Sequence, residues 1–303
     1  MKTQRDAWCF NASRSALGRN IDRTSGYFNE RLTSWQAAKL NAPSISPEPY
    51  IVENPSEISW SAGLKADFAR ERPLDPDAGQ FVASIYRPFF KEWLYYSRRL
   101  NERVYQMPHI FPDADAENRV IMVKSNWRGI GQFALMMDTI PELQTDGGSQ
   151  CFPLKLYEQV QSDNGGLFAG EDARVETRDG VTDEALAHFR AAWPTEQISK
   201  EDLFYYIYGL LHSSDYRERY ADNLLKELPR IPAVISSKDY RAFRDAGRKL
   251  ADLHVNYESV EPYPVTIKQG HLRLANIADK PISHVHRVEL VSLSSDQGQT
   301  TYL

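Results

Sequence analysis

The hydrophobic period of this chain changes twice, and that alternation restricts its fold more than any single motif does. Near the start, Leu17, Ile21, Phe28, Leu32 and Trp35 recur at helical spacing, with Thr24 between them and Ser13 placed to cap the helix. Pro43, Pro47, Pro49 and Pro55 then exclude a helix from Asn41 to Pro55, which reads as a connector. A short helix over about Ala62 to Glu71 ends before Pro73, and Pro73 to Gly79 forms another break. From Gln80 the texture becomes aromatic and strand-prone. Val120–Lys124, Phe133–Met137 and Cys151–Tyr157 read as short strands between Gly, Asn and Asp turns, and Ser162–Asp179 as a polar loop.

Helical spacing then returns. Ser199-x-x-Asp202 forms a capping box ahead of Leu203–Leu211, and Asp215–Leu228 is amphipathic up to Pro229. Ser236-x-x-Asp239 opens a further helix with Tyr240, Phe243, Gly247, Leu250 and His254 on one face. Ser283–Leu293 alternates like a strand. The expected class is α+β: a helical N-terminal segment with its proline-rich connector (1–80), a β-rich middle, and a helical later part (81–303 together).

A formal charge of −5 sets a condition on function. A chain that merely coats nucleic acid carries a basic excess, so any such contact here must come from a local patch or from other domains. Cys9 and Cys151 stand alone and far apart, which excludes a disulfide framework and a zinc knuckle and fits a reducing cytoplasm. No apolar run reaches the ~18 residues of a membrane span, and Met1–Cys9, with Lys2, Arg5 and Asp6, does not read as a signal peptide.

Catalytic signatures are missing. There is no Gly-Lys pair for a phosphate-cradling loop and no G-x-S-x-G nucleophile elbow. No lysine has Asp or Glu two residues before it, as a P-D…[DE]-x-K nuclease would need. Asp113, Asp115 and Glu117 start like a calcium loop but meet Asn118 and Lys124 where Gly and Glu are required, and read as a solvated acidic turn. Gly129, Gly131 and Ala134 fit G-x-G-x-x-A, yet Pro141 comes too soon for the helix that a nucleotide turn needs. His284 and His286 share a strand face but are too few for a metal, and His212 and His254 read as satisfied, half-buried histidines on apolar helices.

Several stretches carry a resemblance. These are KTQRDAWCFN from Lys2, YRPFFKEWLYYS over Tyr86–Ser97, GGSQCFPLKLY over Gly147–Tyr157, FYYIYGLLHSSDYRERYADNLLKELPRIP over Phe204–Pro232, and AGRKLADLHVNYE over Ala246–Glu258. In words and in order they resemble the C-terminal target-recognition region of type ISP restriction-modification enzymes, the single-polypeptide form of type I systems. In that family one polypeptide joins a nuclease, a helicase-like ATPase, an adenine methyltransferase and the target-recognition domain. The methyltransferase binds S-adenosylmethionine and holds the flipped adenine with N-P-P-[YW]. Here Asn54-Pro55 continues with Ser56-Glu57, and the cofactor glycine motif is absent too. The resemblance therefore implies a non-catalytic, cytoplasmic module that follows the methyltransferase and has no cofactor in this chain. The parent enzyme uses S-adenosylmethionine, ATP and Mg. Met1 falls in mid-course of the family's chain and Leu303 ends it early, as in a piece, a split subunit or a remnant.

The implied partners are double-stranded DNA and an adenine methyltransferase domain of the same or another polypeptide, with no membrane. Arg reads guanine and Asn or Gln reads adenine at base edges, while Lys and Arg hold phosphates. Lys124, Asn126, Trp127 and Arg128 combine a cation, an amide, a ring and a guanidinium in one turn at a strand end, although a polar turn with Trp127 tucked into the core fits equally. Arg98, Arg99 and Arg103 form a second basic group. Arg217 and Arg219, with Arg241, Arg244, Arg248 and Lys249, decorate helices where Glu218 or Asp245 can pair them. Lys268, Gln269, His271 and Arg273 form a late polar group. The helix from Ser13 to Trp35 could pack on the methyltransferase, which an exposed apolar stripe would support. An active methyltransferase and a protein-interaction or decoy module are the competing readings. The acidic net charge favours the decoy.

Overall fold

The computed structural model describes residues 1–129, 133–160 and 174–261. The chain divides into two compact units, Met1–Tyr257 and Glu258–Leu303. The strand expected over Ser283–Leu293, with Gly131, Lys268, Gln269, His271, Arg273, His284 and His286, lies outside the described residues.

The first unit opens with a helical turn, α1 (Asp6–Cys9), a short strand, β1 (Phe10–Asn11), and the long helix α2 (Arg14–Asn41). Ser13 caps α2, its Oγ accepting from the Ala16 N–H at 3.3 Å, which satisfies a donor that the first helical turn leaves free. The stripe read from the sequence, Leu17 to Trp35, is buried throughout. It packs with Leu94, Tyr95, Val82, Leu64 and Phe68 of the same chain. That face is thus covered internally, and a methyltransferase would have to meet another one. The proline-rich connector holds only a 3-10 turn, Glu48–Tyr50, before α3 (Ala62–Ala69), capped by Ser61.

The strand-prone run folds as a hairpin of β2 (Gln80–Arg87) and β3 (Phe90–Tyr96), followed by the short helix α4 (Met107–Ile110). Three strands, β4 (Val120–Lys124), β5 (Ala134–Met137) and β6 (Ile140–Pro141), come next, and then β7 (Ser149–Pro153). Two sheets result, with strand orders β1-β3-β2-β6 and β5-β4-β7. β8 (Lys155–Val160) pairs with β9 (Arg174–Asp179). The end of the expected Ser162–Asp179 loop is therefore a strand. Val175 and Thr177 are good strand formers there, and polar composition hid the pairing.

The helical part begins with α5 (Asp183–Ala192), an element absent from the expectations above. Its signal is Thr182 as cap with Leu186, Phe189 and Trp193 at helical spacing. α6 (Lys200–Leu211) has the expected capping box: Ser199 Oγ accepts from the Asp202 N–H at 3.0 Å, and the Ser199 N–H donates to Asp202 Oδ2 at 3.2 Å. The single helix expected over Asp215–Leu228 is instead two turns, α7 (Ser214–Arg219) and α8 (Ala221–Leu224). Tyr220 leaves helical geometry between them (φ −109°, ψ 18°). Tyr216 Oη donates to the Arg230 carbonyl at 2.9 Å, which ties the returning chain to α7. α9 (Ser237–Val255), capped by Ser236, packs along α6. One face of the β5-β4-β7 sheet, with Ile121 and Val123, closes on α5 and α6 through Leu203, Phe204 and Phe189. Full burial of side chains of this size is worth about 1.5–3 kcal/mol each.

Candidate nucleic-acid interface

The turn after β4 sits on a fixed base. The Lys124 N–H donates to the Phe133 carbonyl at 2.9 Å and the Ser125 N–H to the Gly148 carbonyl at 3.1 Å. Asn126 has φ +54° and Gly129 φ +78°, the left-handed region that these two residue types tolerate best. Asn126 and Arg128 project into solvent, and Arg128 has no ion pair or hydrogen bond among the described residues. Trp127 turns inward, 9% exposed, its ring 5.2 Å from that of Phe133. Lys124 is half-buried and paired with Asp146, Nζ to Oδ1 at 3.2 Å. Within the turn, Asn126 and Arg128 are the residues that face outward.

Folding brings Arg217 of α7 to this turn. Its guanidinium carbon lies 5.6 Å from the centroid of the Trp127 ring. Nε and Nη2 donate to the carbonyls of Ser213 and His212, both at 3.4 Å. Among the described residues no carboxylate pairs with Arg217, so its charge is held by an aromatic face and helix-end carbonyls.

Two further turns are joined to the base of this one. Ile85, near the tip of the β2–β3 hairpin, accepts from the Glu142 N–H and from Thr145 Oγ1, each at 3.1 Å. Arg87 Nη1 lies 3.7 Å from Glu142 Oε2. Residues 142–148 thus join the hairpin tip on one side to Lys124 and Ser125 on the other. A second route runs through the core: Phe89 meets the His254 ring at 5.2 Å, His254 meets His212 at 5.5 Å, and the His212 carbonyl accepts from Arg217. The 142–148 turn therefore lies between the hairpin tip and the base of the Asn126–Arg128 turn, and Arg217 meets the latter turn through Trp127. Burial raises the Glu142 carboxyl pKa, against the pull of the Gln144 N–H, the N-terminal amine and Arg87.

Arg87, Phe90 and Gln144 were missed in the sequence, although all three are exposed on the hairpin tip and the 142–148 turn. The available signal was Pro88, which interrupts a strand-prone run and marks a hairpin tip. His254 accepts or donates at Nδ1 with Tyr208 Oη, as expected of a satisfied histidine. His212 departs from that expectation: its Nε2 is buried without a partner among the described residues. Burial, His254 and Arg217 hold its pKa down to about 4.

The other basic candidates divide by whether their charge is already used. Arg99 donates from Nε to Asp67 Oδ2 at 2.9 Å and from Nη1 and Nη2 to the Pro73 and Arg72 carbonyls. Arg98 and Arg103 are exposed and have no ion pair among the described residues. Arg98 and Arg70 border a recess of about 300 Å³ whose carboxylates, Asp67 and Glu102, are engaged by Arg99, Arg72 and Arg5. On α9, Arg241 pairs with Glu196, Arg244 with Asp245, and Arg248 with Glu201 and Asp202. Arg241 and Arg248 thus fasten α9 to α6 and to the chain leading into it. Arg219 lies over its neighbour Tyr220. Among the described residues no group of three His, Cys, Asp or Glu could hold a metal ion, and no helix is long and apolar enough to cross a membrane.

Residues 1–302 match the family model described as the Type ISP C-terminal specificity domain. No curated protein matches the chain. Among solved structures, it is similar to the ATP-dependent Type ISP restriction-modification enzyme LlaBIII bound to DNA, with 31% identity over 88% of this chain and a TM-score of 0.69. A cryoEM structure of a DrdV–DNA complex gives the same three values. A nuclease-deletion mutant of the Type ISP enzyme LlaGI with a DNA substrate mimic gives 29%, 87% and 0.67. The chain spans 16%, 24% and 22% of those three chains.

Proposed function

This chain belongs to the Type ISP C-terminal specificity domain family, and from that membership we propose that it reads a target sequence in double-stranded DNA and places one adenine for a methyltransferase domain. The observation that carries the reading is the match over residues 1–302 to a specificity domain whose solved relatives are DNA complexes. The module is non-catalytic, cytoplasmic, and needs no cofactor of its own. S-adenosylmethionine, ATP and Mg serve the other domains of the enzyme. The segment 1–80 and the domain from 81 onward work as one recognition unit beside the methyltransferase.

In this reading Asn126 and Arg128 address base edges, because they are the outward amide and guanidinium of a turn on a rigid sheet end. Trp127 is the platform for Arg217, which supplies positive charge behind the turn, while Lys124 anchors the turn through Asp146 and faces the DNA as a secondary contact. Arg98 and Arg103 hold phosphates, and Arg99 keeps their segment in place. Lys268, Gln269 and Arg273 complete the set as further contacts. The decoy or protein-interaction alternative is not favoured, since the solved relatives are DNA complexes.

The test is selection of binders from a randomised duplex pool at two salt concentrations. A sequence motif that persists at higher salt is the expected result. Binding without a motif that collapses with salt reports phosphate contact alone and overturns sequence reading. If nothing binds, the selection is repeated with a family methyltransferase domain added. Recovery of a motif then supports the module, and continued absence overturns it.

A further inference from the structure

The hairpin tip, Arg87-Pro88-Phe89-Phe90, sends its two phenylalanine rings in different directions. Phe89 adopts φ +55°, a region that bulky side chains rarely enter. Its ring is held edge-on against His254 at 5.2 Å and Tyr257 at 5.5 Å. Phe90, the first residue of β3, is left 47% exposed and belongs to none of the apolar clusters of the described residues. Hairpin tips are normally Gly, Asn, Asp or Ser, which cost nothing in water. This one keeps an unfavourable backbone angle, and the product of that angle is a ring projecting from a rigid strand end. Backbone strain of this kind persists where surrounding contacts enforce it, and it collects at functional sites.

The surroundings identify what the ring meets. Arg87 lies beside it, with its guanidinium carbon 4.0 Å from the Tyr86 ring centroid. Arg87 is the strand partner of Phe90 across the hairpin, is exposed, and lies 3.7 Å from Glu142 in the adjoining turn. A flat apolar face with an exposed guanidinium beside it suits a nucleobase, which offers a π-face next to phosphate. Aromatic and aliphatic side chains of DNA-bending proteins enter base steps in this way.

We propose that Phe90 is an inserting residue: its ring enters the target duplex at a base step and stacks on a base. The inference rests on the recognition reading above. Its test uses the full chain and duplexes of the selected site carrying 2-aminopurine at successive positions. The wild-type chain should raise fluorescence at one step, because unstacking relieves the quenching. F90A should abolish that rise and weaken binding about ten-fold or more, while F90W keeps both. Thermal melting of F90A should match wild type, given the exposed ring. Full affinity and an unchanged signal in F90A overturn the inference and leave sequence reading intact. So does a fluorescence profile flat at every position with wild type and F90W, a result that needs no F90A protein and points to a protein contact instead. If the wild-type chain selects no sequence, with or without the methyltransferase domain, the recognition reading fails and this inference falls with it.

Discussion

Gly247 of α9 faces Gly209 of α6 so closely that a β-carbon on Gly247 would stand 2.7 Å from the Gly209 nitrogen and 2.0 Å from the Tyr205 carbonyl oxygen. A β-carbon on Gly209 would meet the Phe243 carbonyl oxygen at 2.1 Å. The obstructing atoms are backbone on both sides, so neither helix can yield by turning a side chain. The absence of two methyl groups sets the distance between the main helices of the later part, and with it the placement of His254 on α9.

Gly247→Ala should therefore destabilise the protein even though alanine is the better helix former. Overpacking costs about 1–3 kcal/mol, against a propensity gain of about 1 kcal/mol. Urea unfolding should show a lower midpoint with an unchanged slope. A midpoint equal to or above wild type would show that the helices can separate freely.

Stability should fall between pH 6.5 and pH 4. Burial keeps His212 neutral in the folded chain, with its pKa pushed down to about 4 from an ordinary 6.5, and it also lowers that of His254. The unfolded chain takes up protons first, so folded stability is complete above 6.5 and is lost as pH falls towards 4. For His212 alone the loss is about 3 kcal/mol. Denaturant midpoints measured at pH 7.5 and 5 should diverge in wild type and diverge less in His212→Gln, where His254 still contributes.

Tyr208→Phe should cost about 1–3 kcal/mol. Tyr208 Oη accepts from the Met136 N–H at 2.8 Å on an edge strand and meets His254 Nδ1. Its removal leaves a buried backbone donor unpaired. Hydrogen exchange at Met136 should accelerate, and equal protection in both proteins would remove this contact from the account.

Arg98 and Arg99 are neighbours in sequence and should behave oppositely. Arg98→Gln should weaken DNA binding uniformly across sequences and reduce the salt slope by about 0.9, with melting unchanged. Arg99→Gln should lower the melting temperature, because its guanidinium ties α3 and the following segment together. Equal effects of the two on the salt slope would contradict this division.

Arg128→Ala should relax preference at one base pair by about 1–3 kcal/mol without altering the fold, because the side chain is exposed and unpaired among the described residues. Repeating the duplex selection with this variant reads the outcome directly. An identical motif would remove Arg128 from base reading.

Much of the fold was legible because its determinants are local. The spacing of Leu17 to Trp35, the Ser13, Ser199 and Ser236 caps, and the prolines after Asn41 act within a few residues of where they stand. Elements were misread where a distant contact overrode the local pattern. Asp215–Leu228 has one continuous amphipathic period, yet the bond from Tyr216 to Arg230 accompanies its break at Tyr220. β9 looked like loop because its register with β8 is a relation between strands.

For the candidate interface the division is sharper. Residue types and their spacing were enough for the class of fold, the family and a set of candidates for DNA contact. They could not rank those candidates, because an arginine's availability depends on which carboxylates and carbonyls reach it across the structure. Only the tertiary structure separated Arg98 from Arg99, fastened Arg241 and Arg248 with their acids, and set Arg217 over Trp127. Only packing explains why Phe89 points inward and Phe90 outward, since the ring that fixes Phe89 belongs to His254, a residue from the far end of the same unit.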